Sequence, residues 1–158
     1  WTYFEAAQIH NAILLGMRDE AWSCLDGMLD DGMQPWCDVT AWVEGRPSGG
    51  ELLPFRNDVG ARGWLRDGYA VAGNMPHNWT AAEMVNLIRT MFVADGDDGV
   101  VLGLGIPGAW LEPGQRFGVQ RMPTDHGEVS YDATVEADGT VRLDYDGPPS
   151  YRVAWREE

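Results

Sequence analysis

The sequence predicts an α-then-β chain, with helical hairpins over residues 1–95 and a small antiparallel β-sandwich over residues 96–158. Apolar residues recur at helical spacing near the start and again after Trp79, but beyond the turn Asp95-Gly96-Asp97-Asp98-Gly99 they alternate with a period of two. Two clusters, Pro35-Trp36-Cys37-Asp38 through Trp42-Val43-Glu44 and Met75-Pro76-His77-Asn78-Trp79, fall in the loops between the helical stretches.

The first helix is expected from Tyr3 to Gly16, with Phe4, Ala7, Ile9, Ile13 and Leu14 as its apolar stripe and Gly16 as its stop. A second follows at once, opened by Asp19 or Glu20. Ala21, Trp22, Leu25, Met28 and Leu29 form its apolar face, and Asp30-Asp31-Gly32 breaks it. Two helices joined by so short a turn predict an αα-hairpin. Residues 33–78 hold Pro, Gly and Trp without sustained periodicity, and a connection of that length is usually kept for function. Thr80-Ala81-Ala82-Glu83 then fits a capping box that opens a third helix. Met84, Leu87, Ile88, Met91 and Phe92 make a stripe too wide for a surface element, which predicts a largely buried helix.

About five strands are expected in the second half: Val100 to Leu104, Phe117 to Val119, the alternating run Val129-Ser130-Tyr131-Asp132-Ala133-Thr134-Val135, its return strand through Val141, Leu143 and Tyr145, and a last strand with Tyr151, Val153 and Trp155 on one face. Asp138-Gly139 marks a hairpin between the third and fourth. Gly103-Leu104-Gly105-Ile106-Pro107-Gly108 matches the dinucleotide pattern GxGxxG, but Pro113-Gly114 interrupts the long helix that would have to present its amides to pyrophosphate. A tight turn and a single helical turn are expected instead.

Composition narrows the partners. The 158 residues carry a formal charge of -14, from 25 acidic side chains against 11 basic ones, and every basic residue is Arg. A nucleic-acid backbone would be repelled, since the arginines are scattered from Arg18 to Arg156. The acidic, Lys-free composition fits either life in concentrated salt, where self-repulsion is screened, or a genomic bias that exchanges Lys for Arg. No apolar run approaches the roughly 20 residues that span a bilayer, so no membrane partner is expected. The sequence opens without Met, inside an apolar helix, which predicts a part of a longer protein. Cys24 and Cys37 are too few for a disulfide scaffold, and free buried thiols are the default reading.

His10, His77 and His126 have no metal-ligand spacing, and no metal or cofactor is expected. His126 reads as solvated and His10 as a satisfied helix imidazole, while His77 precedes a helix beside Trp79, where side chains project over a pocket mouth. Asn78-Trp79-Thr80 is formally a glycosylation acceptor, but Thr80 is expected to be used as a cap. Indole faces are flat apolar platforms for sugar rings, and carboxylates and imidazole supply hydrogen bonds and proton transfer, so the two clusters predict a carbohydrate site. Glu44 ends an apolar, β-prone stretch before Gly45, where its surroundings can tune it, and Asp38 is its nearest rival. Solvent pairing of Glu44 with Arg46 or Arg56 is the plainer alternative. One carboxylate is insufficient, because glycoside hydrolysis usually needs a pair.

Thr40-Ala41-Trp42-Val43-Glu44, then Asn74-Met75-Pro76-His77-Asn78-Trp79 with a helix to Val93, then Leu104 to Leu111 and the strands after them, together resemble the last hairpins and tail of the six-hairpin (α/α)6-barrel glycoside hydrolases, especially the α-L-rhamnosidase-like group. The resemblance spans nearly the whole chain in order of elements, on short motifs. It implies the terminal hairpins of an (α/α)6 toroid followed by the β-sandwich. Glu44 would be the catalytic base or a close substrate carboxylate, activating water, and His77 a sugar-contacting histidine. Trp36, Trp42 and Trp79 would shape the sugar site, and Asp38 and His77 would hydrogen-bond hydroxyls. The implied partners are a carbohydrate substrate and the remainder of the catalytic domain upstream, which would supply the general acid. The group commonly carries a second aromatic after the Glu, where this chain has Gly45, so rhamnose specificity is not implied. Two other readings stay open: a polysaccharide lyase using His77 or Tyr69 as base and Arg56, Arg62 or Arg66 as a uronate clamp, and a non-catalytic carbohydrate-binding or assembly module.

Overall fold

Glycine ends the first helix, as its position predicts. In a computed structural model of the chain, which describes residues 2–30, 42–43, 46–47, 64–66, 69–71 and 78–156, helix α1 (Thr2–Leu14) is followed by α2 (Arg18–Asp30). The Gly16 amide donates to the Ile13 carbonyl and the Met17 amide to the Ala12 carbonyl, with Gly16 at φ 79°. This is the Schellman pattern, which satisfies carbonyls that the helix end leaves unpaired. Met17 then accepts from the Ala21 amide, so the chain passes directly into α2.

The buried residues of α1 are Ala6, Ile9 and Ile13. Phe4 was expected among them but is 56% exposed, because at 3.6 residues per turn it lies about half a turn from that line. Leu14 is exposed too. In α2, Ala21, Leu25 and Met28 are buried at steps of four and three, Trp22 is half-buried and Leu29 is exposed.

Helix α3 (Asn78–Phe92) begins two residues before Thr80. Thr80 is therefore a first-turn residue rather than the cap, and it is fully buried, so the capping-box assignment fails. Thr80, Met84, Leu87 and Met91 make one buried line. Val85 and Ile88 are exposed, so α3 is amphipathic and not buried all round.

Two short hairpins fall in the long aperiodic connection. β1 (Trp42–Val43) pairs with β2 (Arg46–Pro47), and β3 (Trp64–Arg66) pairs with β4 (Tyr69–Val71), both antiparallel.

The second half is rich in antiparallel strands. β5 (Val93–Gly96) follows α3 without a break and was not expected. It turns through Asp97-Asp98 into antiparallel β6 (Gly99–Leu102). β7 (Arg116–Thr124), β8 (Gly127–Val135) and β9 (Val141–Asp146) form a meander in which Tyr131 lies opposite Tyr145 and Ala133 opposite Leu143. Gly139, at φ 82°, takes the turn where Asp138-Gly139 predicts it. β7 runs past the expected end at Val119 through a bulge that leaves Arg121 at φ 55°. The last strand, β10 (Tyr151–Val153), lies parallel to β6, which corrects the expectation of purely antiparallel pairing. β10 reaches β6 only after the whole meander, so no hairpin turn dictates its direction. Trp155 follows in a 3-10 turn, Ala154–Arg156, rather than in the strand.

Both three-stranded sheets contribute to one core. Val93, Val100 and Leu102 from β5 and β6 pack with Phe117, Val129, Tyr131, Ala133 and Val135 from the meander, and Trp155 closes the cluster. Gly103, at φ 69°, has no room for a side chain because the Trp155 ring lies where its Cβ would be. The GxGxxG segment is thus a turn followed by the 3-10 helix Gly108–Leu111, with no long helix behind it.

The chain divides into two compact units, residues 1–11 with 23–87 and residues 12–22 with 88–158. The break expected after residue 95 falls inside β5. Among the described residues, no helix is long and apolar enough to cross a membrane.

Candidate functional site

Of the residues assigned to the sugar site, Trp36, Asp38, Glu44 and His77 lie outside the described residues. Trp42 opens β1, where its backbone is opposite Pro47. Trp79 is the residue whose surroundings are described.

Trp79 is the second residue of α3, next to the buried line that starts at Thr80, and it is 69% exposed. It is not an isolated surface residue. The Tyr3 ring of α1 sits 6.2 Å from it at 49°, and Phe4 packs edge-on against Tyr3 at 5.1 Å and 65°. Phe4 and Trp79, whose spacing on their helices turns them from the buried lines, thus extend an aromatic surface on the unit of residues 1–11 and 23–87. Such a surface offers ring faces to the apolar side of a sugar. Phe4 was read as part of a helix stripe, and Tyr3 only as the start of that helix. Their role as neighbours of Trp79 was not found; the helical phase of Phe4 against Ala6, Ile9 and Ile13 shows only that it faces away from the buried line.

In the other unit, polar side chains near loops mostly hold the fold. His126 is exposed as expected, but it is fixed: its Nε2 lies 2.7 Å from the Gly96 carbonyl, which only accepts, so Nε2 donates. The neighbouring Asp125 amide donates to Asp95 Oδ1 at 2.9 Å. The β7–β8 turn is thereby tied to the β5–β6 hairpin. Asp138 accepts from both the hydroxyl and the amide of Thr140, at 2.7 and 3.0 Å, and these bonds hold its carboxyl below the ordinary carboxylate range. That is turn chemistry, since the ionised form is the one the bonds favour.

Burial pushes the Tyr131 phenol well above its usual range, and its hydroxyl donates to the Phe92 carbonyl at 3.1 Å. A phenol so held is a core residue rather than a base. Cys24 is a free but exposed thiol, contrary to the expected burial, and Cys37 lies outside the described residues. Among the described residues, no three His, Cys, Asp or Glu side chains gather into a metal-binding cluster.

Neither a protein-family model, nor a curated protein, nor a solved structure matches this chain.

Proposed function

We propose that this chain forms the C-terminal part of a glycoside hydrolase, with terminal hairpins of an (α/α)6 toroid followed by a β-sandwich. The observation that carries the reading is the aromatic surface in which exposed Phe4 and Trp79 flank Tyr3, with Trp79 two residues after His77 in the chain. Among the described residues, two helices precede the Trp- and carboxylate-bearing stretch, and a third helix and two sheets sharing one core follow it, an order of elements that agrees with this reading.

In this reading Trp79 and its neighbours bind the sugar, with Trp36 and Trp42 as further walls. Asp38 and His77 hydrogen-bond hydroxyls, and Glu44 takes a proton from the attacking water. The carboxylic acid that protonates the leaving oxygen comes from the upstream part of the catalytic domain. The test is Glu44→Gln in the complete polypeptide. A general base is worth about 10²–10⁴ in rate, so kcat on the cognate glycoside should fall by that factor while the fold is kept. Unchanged turnover sinks the assignment.

A lyase reading has one supporting observation, that Arg66 and Tyr69 are register partners across the β3–β4 hairpin, which brings a cationic residue and a phenolic one to adjacent backbone positions. An unsaturated product absorbing in the ultraviolet would select it. Saccharide binding without turnover in the complete polypeptide would select the non-catalytic module.

A further inference from the structure

A concave surface lies within the unit of residues 12–22 and 88–158. It is an open groove of about 480 Å³ where the β5–β6 turn meets the start of β10. Asp97 and Asp98 of the turn, Gly99, Ser150, Tyr151 and Arg152 line it.

Three features make the groove a preformed one. Tyr151 is 45% exposed, yet one face of its ring is stacked on Tyr145 at 4.2 Å and 30°. The Tyr145 hydroxyl in turn donates to the Pro148 carbonyl at 2.7 Å. The aromatic wall is therefore held in place before any ligand arrives, which lowers the ordering cost of binding. Ser150 is fixed as well. Its hydroxyl donates to the Asp98 carbonyl at 2.5 Å and its carbonyl accepts from the Val100 amide at 3.2 Å. Finally, Gly99 has φ 151°, and any side chain there would collide with the Ser150 backbone, so the floor of the groove stays bare.

The geometry points to a second carbohydrate site in this groove, taking a neutral oligosaccharide against the Tyr151 ring. The lining fits that class: Asp97 and Asp98 bring carboxylates, which accept from hydroxyls, to the wall beside Tyr151. A rigid aromatic platform bordered by a few polar groups is also what a sugar ring, apolar on its faces and polar at its edge, requires. Charge selects the neutral sugar. The lining residues include two Asp against one Arg, and the chain as a whole carries -14, so an anionic glycan is repelled. The site would hold a polysaccharide against the β-rich unit and does not depend on the hydrolase reading.

The test is an amide-resolved NMR titration of the chain with a neutral oligoglucan, an oligogalacturonide and calcium chloride in parallel. The neutral oligomer should shift the amides of residues 96–101 and 150–152, and Tyr151→Ala should weaken that binding roughly tenfold or more. Asp97→Ala, in an exposed turn, should weaken it as well without touching the Tyr145–Tyr151 stack. Groove shifts caused only by the anionic oligomer or by calcium overturn the proposal, as does the absence of groove shifts at millimolar neutral sugar. Shifts confined to residues around Tyr3 and Trp79 overturn it while leaving the function proposed above intact. Groove shifts alone support it and count against the Trp79 surface.

Discussion

Two aromatic clusters in this chain have nearly the same ring spacing and opposite surroundings. Tyr3, Phe4 and Trp79 meet at centroid distances of 5.1 and 6.2 Å, and Phe117, Tyr131 and Trp155 meet at 5.3 and 6.0 Å. Trp79 is 69% exposed whereas Trp155 is 6% exposed. Ring-to-ring packing therefore says nothing about role by itself. In the second cluster the rings are enclosed by Val93, Leu102, Val129 and Val135, so their area is removed from water and contributes to stability. In the first, most of the indole remains in water, where its free energy of burial is still available to a ligand.

The comparison breaks most sharply at Trp155. Trp155→Ala should destabilise the chain by about 3–5 kcal/mol, through lost burial and the cavity left beside Gly103, read from the midpoint of chemical denaturation. A loss below about 1 kcal/mol would mean that the buried cluster is not the core it resembles.

Tyr131 sharpens the same contrast through pH. Burial raises the folded phenol above its ordinary value, so its contribution is fully present below about pH 10 and is lost as pH rises from there toward the folded value. Tyr131→Phe should cost about 1 kcal/mol near neutrality, for the bond to the Phe92 carbonyl. It should also flatten the alkaline fall in stability. Equal alkaline slopes in the two proteins would show that Tyr131 is not the group being titrated.

The smallest effect on stability belongs to Trp79. Trp79→Ala should change it by less than about 1 kcal/mol, since the ring is mostly solvated already. The same substitution should weaken saccharide binding roughly tenfold, read by titration. A large loss of stability with unchanged binding would place Trp79 with Trp155 as a structural residue.

Much of the β-rich half was legible because its alternation is local. Val129, Tyr131, Ala133 and Val135 point to one side whatever lies beyond the strand, and Asp138-Gly139 supplies the turn that returns it. β5 was not legible, since Val93-Ala94 continues the apolar run of α3 and nothing in that run says where helix gives way to strand. Trp79 was assigned to the candidate site from its place at a helix entrance. Tyr3 lies far from it in sequence, and no periodicity within either helix records their meeting. The groove at Tyr151 was missed for the same reason, because Asp97-Asp98 reads only as a turn until β10 is laid beside β6.

By itself, then, the sequence determined the helices, the meander and the glycines that end or turn them, because steric freedom at Gly16 and Gly139 and the apolar period act over a few residues. Tertiary structure decided the parallel pairing of β10, the burial of Thr80 and which indole faces water. These depend on segments brought together across long stretches of chain, where the gain comes from shared burial and shared hydrogen bonds that neither segment encodes alone.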